Sequence, residues 1–214
     1  QYGNALMAGA DLSYPFFFRE GGLITTSLGY EHKQTRDSVF LARKWFNNLH
    51  VRAAGENFLQ GRLSFSGDVT VGNLSIGEGV MLSLDRLWAQ SNGGFQKLYA
   101  DAQFSQVVTP NSFFTVSLKG QIANKNLDAL EKFSFGGIMG VRAYSSDLGT
   151  GDEGVLANLS YTFRPSATLP IRVGVFYDYA QVRASHASLP STDPSAQNNF
   201  QMDAAGLQLV AQYK

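Results

Sequence analysis

Apolar and polar residues alternate along most of this chain, a pattern typical of β-strands with two different faces. We predict strands at 5–14, 22–31, 57–67, 79–86, 95–106, 113–123, 154–163, 171–181 and 204–213. In 171–181, for example, Val175 and Tyr177 share one face, while Phe176 and Asp178 lie on the other. Most of these strands reach about ten residues, whereas globular strands usually have about five or six. Strands of this length with one apolar face fit a tilted crossing of a lipid bilayer.

The predicted connections fall into short and long classes that alternate along the chain. Short turns are predicted at 16–21, 70–77, 108–111 and 164–170, and long loops at 32–56, 124–153 and 183–203, with 88–94 as an exception. Short turns on one side and long loops on the other are typical of outer-membrane barrels, where they are periplasmic and extracellular respectively. We therefore predict an all-β fold, an antiparallel transmembrane β-barrel portion of about nine strands.

Composition supports this prediction and removes some alternatives. Charged residues make up 16% of the chain, below the roughly 25% usual for soluble domains. Acidic and basic residues balance at 17 each, so no charge argument favours nucleic acid. Alternation alone also fits a soluble β-sandwich binding module with one wet face, and this alternative stays open. In a barrel, the polar faces would line a wet lumen, with the lumen-lining residues Lys97, Asp101, Lys119, Gln121 and Arg172.

The longest predicted loop contains a glycine-rich run at 136–154, GGIMGVRAYSSDLGTGDEG. With its flanks, LEKFSFGGIMGVRAYSSDLGTGDEGVLANLSYTF, it resembles the conserved loop of the two-partner secretion transporters (TpsB type, haemolysin secretion/activation proteins) of the BamA-like superfamily. The matching residues are Phe133, Gly136, Gly137, Gly140, Val141, Arg142, Tyr144, Gly151, Asp152, Glu153 and Gly154. One departure is Ala143, which stands where the superfamily often has glycine.

A second segment, VGVFYDYAQV, resembles a strand of the same family and matches it at Phe176 and Asp178. In a barrel, the long loop at about 124–153 would be extracellular. The resemblance implies that this loop folds back into the lumen and brings Arg142 to Asp178. Alternation independently puts Asp178 on the inward, polar face. A guanidinium and a carboxylate can form two parallel hydrogen bonds there. The alternative is an exposed arginine and an unrelated aspartate.

The resemblance also implies a function. The family's barrels have sixteen strands and follow periplasmic POTRA domains, so we expect residues 1–214 to be the C-terminal side of such a barrel, without those domains. The expected activity is translocation of an unfolded partner exoprotein (TpsA type, a haemolysin or adhesin) across the outer membrane of a Gram-negative bacterium. Outer-membrane lipid is the other expected partner, and we expect a monomer that does not bind nucleic acid. An outer-membrane insertase of the same superfamily is the alternative.

Catalytic chemistry finds little support in the sequence. No Gly-x-Ser-x-Gly motif occurs, and the spacing of His32, His50 and His186, which we place in or beside long loops, fits no zinc motif. Asp152 and Glu153 are adjacent, so in an extended segment they point in opposite directions, a poor geometry for paired acid–base work. We therefore predict no enzyme activity and no cofactor or metal.

Overall fold

A computed structural model describes residues 3–19, 21–37, 43–57, 61–77, 80–166, 170–188 and 197–211. Its long strands are β1 (Gly3–Arg19), β2 (Gly22–Asp37), β3 (Arg43–Asn57), β4 (Arg62–Ile76), β5 (Gly93–Thr109), β6 (Ser112–Ala123), β9 (Glu153–Phe163), β10 (Ile171–Arg183) and β11 (Asn199–Ala211). Between β6 and β9 lie two short strands, β7 (Phe133–Ser134) and β8 (Thr150–Gly151). A short helix, α1 (Val80–Leu84), continues into a π-helical segment, Asp85–Ala89.

The long strands form one nine-stranded sheet in the order β1-β2-β3-β4-β5-β6-β9-β10-β11, and every neighbouring pair is antiparallel. β7 and β8 form a separate two-stranded sheet. No helix among the described residues has the length and apolar character that a membrane crossing requires. The arrangement confirms the predicted all-β, antiparallel fold class.

The two faces of the large sheet differ as the alternation predicts. One face, which we call outer, carries large apolar side chains that are exposed; Leu12 is 76% exposed and Leu207 is 82% exposed. The other face, which we call inner, carries most of the polar strand residues and is covered in part by the segment between β6 and β9. An exposed apolar face of this extent suits contact with lipid.

β3 was missed in the prediction, which placed 32–56 in a loop. Its alternation is interrupted on both faces. Phe46 points to the inner face, where it is fully buried with Leu74. Asn47 points to the outer face, where it accepts a hydrogen bond from Tyr30 Oη at 2.8 Å and lies 2.9 Å from His32 Nδ1. His32 and His50 therefore lie in strands, although a loop was predicted for both.

The prediction of a strand at 79–86 and of a turn at 70–77 was also wrong. Residues 70–76 belong to β4, which starts at Arg62, and the predicted strand is the helical segment 80–89. Leu82 packs against the buried cluster of Phe46 and Leu74, and Asp85 accepts hydrogen bonds from the amides of Ser91 and Asn92 at 3.0 Å each. The period-two spacing of three apolar residues was too short to distinguish a strand from a helix.

With these corrections the connections still fall into two sets on opposite sides of the sheet, although 38–42, in the set with the long ones, has only five residues. The intervals between consecutive long strands are 20–21, 58–61, 110–111 and 164–170 on one side of the sheet. On the other side they are 38–42, 77–92, 124–152 and 184–198. The predicted exception at 88–94 disappears, because the helical segment belongs to a long connection. The predicted strands 57–67 and 204–213 include residues 58–60 and 212–213, which lie outside the described residues.

Candidate functional site

Residues 124–152, which we call the inner loop, fold back on themselves through close backbone contacts. The amide of Phe135 donates to the Gly149 carbonyl at 2.7 Å, and the amide of Val141 donates to the Phe135 carbonyl at 2.8 Å. Gly137 has φ of 87°, in the left-handed region that favours glycine. A Cβ atom on Gly140 would lie 2.2 Å from the Phe135 carbonyl oxygen, so a larger residue would push the two segments apart.

An apolar cluster fixes this folded loop on the sheet. Phe135 and Val141 are both fully buried members of this cluster, and Tyr144 packs against the cluster. The sheet contributes buried residues from three adjacent strands, Leu156, Ala180, Val182, Met202 and Ala204. The loop is therefore anchored by apolar contacts before any ion pair is considered.

Arg142 directly follows Val141 of this cluster and binds Asp178 on β10 through three hydrogen bonds. Arg142 Nε donates to Asp178 Oδ2 at 2.8 Å, Nη2 donates to Oδ1 at 2.7 Å, and the Arg142 amide donates to Oδ2 at 3.1 Å. The Asp178 carboxylate is fully buried, whereas the Arg142 side chain is 22% exposed. The pair is the two-pronged arrangement that the planar guanidinium favours, reinforced by a backbone donor.

Three further side chains complete this pair, and two of them were not predicted as site residues. Asn158 Nδ2 lies 2.8 Å from Asp178 Oδ1 and 2.9 Å from the Gly140 carbonyl oxygen, and donates to both. Arg142 Nη1 donates to Gln208 Oε1 at 3.2 Å. The guanidinium carbon lies 3.5 Å from the centre of the Phe176 ring, which is a cation–π contact. The same inward parity that indicated Asp178 also puts Asn158 and Gln208 on the inner face.

Asp152 holds the end of the inner loop to its beginning and to the next loop. Its carboxylate is fully buried, lies 2.7 Å from Lys132 Nζ and accepts hydrogen bonds from the amides of Leu127 and His186 at 3.2 and 2.8 Å. Glu153 points elsewhere and binds Arg183 at 3.0 Å and His186 at 2.5 Å. The remaining predicted glycines lie in backbone pairings: Gly136 with Val141, Gly151 with Phe133, and Gly154 with Gln121 and Val182.

Glu131 binds the first part of the inner loop to other strands. Its carboxylate is 3% exposed and receives Lys97 Nζ at 2.8 Å, Lys33 Nζ at 3.2 Å and Asn48 Nδ2 at 3.1 Å. Burial alone would raise the pKa of this carboxyl, but Lys97, Lys33 and Asn48 favour its charged form more strongly, so its pKa lies below the ordinary value.

The five predicted lumen-lining residues divide into two groups. Three of them contact the inner loop: Lys97 as described, Lys119 by donating to the Met139 carbonyl at 3.3 Å, and Gln121 by donating to the carbonyls of Glu131 and Asp152 at 3.3 and 3.2 Å. The other two adjoin other parts of the sheet. Asp101 accepts a hydrogen bond from Ser66, and Arg172 lies at the short-turn end, in a recess shared with Pro110.

The histidine rings lie close to polar side chains of neighbouring residues. His50 lies 2.7 Å from Asp11 and His186 lies 2.5 Å from Glu153. In the part of the chain that the structure describes, no group of three or more His, Asp or Glu side chains is placed to hold a metal ion.

Comparison with solved structures establishes the fold. CdiB from Escherichia coli aligns with a TM-score of 0.73 over 98% of this chain and 39% of its own length, at 19% identity. CdiB from Acinetobacter baumannii aligns with a TM-score of 0.61 over 96% of this chain and 36% of its own length, at 17% identity.

Comparison of sequences identifies relatives that are longer than this chain. The heme/hemopexin transporter protein HuxB of Haemophilus influenzae (strain ATCC 51907 / DSM 11121 / KW20 / Rd) is 24% identical over 185 residues, which are 83% of this chain and 33% of HuxB. HuxB of strain 86-028NP is 23% identical over 212 residues, 95% of this chain and 37% of that protein. The chain thus spans about a third of the length of these relatives. Residues 3–196 match the family described as haemolysin secretion/activation protein ShlB/FhaC/HecB. This match extends over most of the chain and includes both the inner loop and β10, so the chain belongs to the ShlB/FhaC/HecB family of haemolysin secretion/activation proteins.

Proposed function

We propose that this chain is the C-terminal-side portion of an outer-membrane β-barrel that moves an unfolded partner exoprotein from the periplasm to the surface of a Gram-negative bacterium. The partner would be of the haemolysin or adhesin type. Family membership supports this proposal, and the names of the HuxB relatives describe transporters. The structural observation that carries it is the inner loop, which is bound to the polar face of the sheet by the two-pronged Arg142–Asp178 pair.

The two faces of the sheet suit the two environments of such a pore. The outer face presents exposed apolar side chains to lipid, and the inner face presents amides, hydroxyls and charges of both signs to water. Lys119 and Asp101 illustrate the mixed charge of the inner face, which would not bind an extended polypeptide of either sign tightly. The long connections, including the inner loop, would lie on the extracellular side.

The Arg142–Asp178 pair would position the inner loop in the lumen. Losing either partner of such an ion pair is costly, because the remaining charge is left in a poorly solvated place. Arg142→Ala should therefore displace residues 138–142, which we call the tip of the inner loop. The sheet and its apolar outer face should stay intact. Export of the partner should fall sharply, and insertion of the barrel into the outer membrane should persist.

The test is partner export by the full-length protein, co-expressed with the exoprotein encoded beside it. Wild type is compared with Arg142→Ala and Asp178→Asn, and with Arg62→Ala as the control. Arg62 is a suitable control because its side chain is 64% exposed and binds Glu56, away from the inner loop. We expect export to fall in both site variants and to stay at the wild-type level in the control. Wild-type export in both site variants, with normal insertion, would refute the proposed role.

A further inference from the structure

The root of the inner loop, residues 124–132, has attachments of its own on the inner face. Asp128 binds Lys44 of β3 at 2.5 Å. Glu131 binds Lys33 of β2, Asn48 of β3 and Lys97 of β5. The carbonyl oxygen of Glu131 also accepts hydrogen bonds from Lys97 Nζ at 3.2 Å and Gln121 Nε2 at 3.3 Å. The side chain and backbone carbonyl of Glu131 thus join four strands, β2, β3, β5 and β6.

Charge balance makes this attachment stable. The ammonium groups of Lys33 and Lys97 face two carboxylates, since Lys33 also binds Glu31 at 2.7 Å. Glu131 is 3% exposed, so its charge is stabilised by these partners rather than by water. Removing that charge would leave Lys97 facing a neutral amide or an apolar side chain in the same confined place, which is unfavourable.

The root and the tip of the loop are attached to different parts of the sheet. The root binds β2, β3, β5 and β6, while Arg142 binds β10, and β9 lies between β6 and β10 in the sheet order. The tip between them is far more exposed: Ile138 is 86% exposed and Met139 is 73% exposed. The contacts of the root and the contacts of Arg142 therefore involve different residues. Losing one set of contacts does not directly remove the other.

We propose that Glu131 is a positioning residue that mounts the root of the inner loop on β2, β3 and β5, and that this mount holds when the Arg142–Asp178 pair is broken. The inference deepens the proposed function and rests on it, because it defines which part of the loop stays in place in a transporting pore. Loss of the arginine pair would loosen the tip alone, and loss of Glu131 would loosen the root alone, which keeps its contacts through Asp128 and Asp152.

Thiol labelling of the full-length protein in isolated outer membranes, without the exoprotein, tests this proposal. The 214 residues contain no cysteine, and any cysteine elsewhere in the protein is first replaced. Leu127→Cys reports on the root and Val141→Cys on the tip, since these side chains are 3% and 0% exposed. A water-soluble maleimide is the probe, and its rate of reaction is compared with that of the denatured protein.

We expect Glu131→Gln to raise the labelling rate at position 127 by roughly tenfold, as for the loss of a charge-assisted contact. The rate at position 141 should change by less than about twofold in that variant, and Arg142→Ala should give the opposite pattern. Glu131→Asp, which keeps the charge, should restore most of the protection at position 127. Glu31→Gln is the matched control, because it removes a carboxylate from the same Lys33 without touching the loop.

Two outcomes would overturn the proposal. One is an unchanged labelling rate at position 127 in Glu131→Gln, which would show that the glutamate does not hold the root. The other is an equal rise at both positions in both variants, which would show that the loop opens as one unit. Labelling requires no exported partner, so a failure here is distinct from a failure of the proposed transport function.

Discussion

Replacing Asp178 with asparagine perturbs the site with the least change in shape. Oδ1 of the aspartate receives Arg142 Nη2 and Asn158 Nδ2, and Oδ2 receives Arg142 Nε and the Arg142 amide. An asparagine amide has one oxygen, so in either orientation its NH₂ group faces two donors. Asp178→Asn therefore loses two of the four hydrogen bonds as well as the negative charge.

The size of the effect follows from the exposure of the two partners. Breaking a fully buried ion pair costs about 3–5 kcal/mol. Because the Arg142 side chain is 22% exposed, water stabilises part of its stranded charge. We therefore expect the free energy of loop docking to fall by about 2–3 kcal/mol, which is a roughly 30- to 150-fold shift toward the undocked loop.

Hydrogen exchange of the purified full-length protein measures this shift directly. The Arg142 amide donates to Asp178 on β10, so a peptide covering 135–146 contains an amide that reports on docking. Its exchange should accelerate by about the factor given above, while a peptide from β6 at 113–122 exchanges as in wild type. An unchanged rate in 135–146, or an equal acceleration in β6, would refute the reasoning.

Three further predictions concern the loop and its partners. The pKa of Glu131 is lowered in the folded protein, so its charge stabilises the fold fully above the ordinary glutamate range. This contribution is lost as the pH falls through the native pKa. The difference in Tm between wild type and Glu131→Gln should therefore shrink below about pH 4. Gly140→Ala should abolish loop docking and export, because its Cβ would lie 2.2 Å from the Phe135 carbonyl, whereas Gly67→Ala, with the nearest atom at 4.0 Å, should export normally. Phe176→Leu removes the ring beneath the guanidinium and should accelerate hydrogen exchange in 135–146 by a few-fold, consistent with about 0.5–1 kcal/mol, and by less than Asp178→Asn does.

The parts of the fold that the sequence predicts are those where the two faces differ strictly. In β10, Val175 and Tyr177 are exposed and Asp178 is buried, as the alternation indicates. β3 breaks this rule because two of its side chains have partners on other elements. Phe46 is apolar but faces inward, and Leu82 of the helical segment packs against its cluster. Asn47 is polar but faces outward, and it binds Tyr30 on β2. Local pattern cannot supply such partners, because they come from other elements.

The candidate site likewise contains some residues that the sequence indicates and others that it does not. Arg142 and Asp178 could be paired from a family resemblance and a parity argument, and the structure places them in direct contact. Asn158 and Gln208 share the inward parity of Asp178 but have no motif that marks them out among other inward polar residues. Glu131 had no indication at all, since Lys33 lies 98 residues away from it along the chain. The apolar anchors of the loop likewise depend on how three strands come together.

This same separation constrains the order in which the protein folds. The Lys33–Glu131 contact closes a segment of 98 residues, and Arg142–Asp178 closes 36. Closing a longer flexible segment costs more entropy, and the cost is repaid only when the strands between the partners are already paired. We therefore expect the root of the loop to attach after β2 to β5 have paired, as a late event in folding.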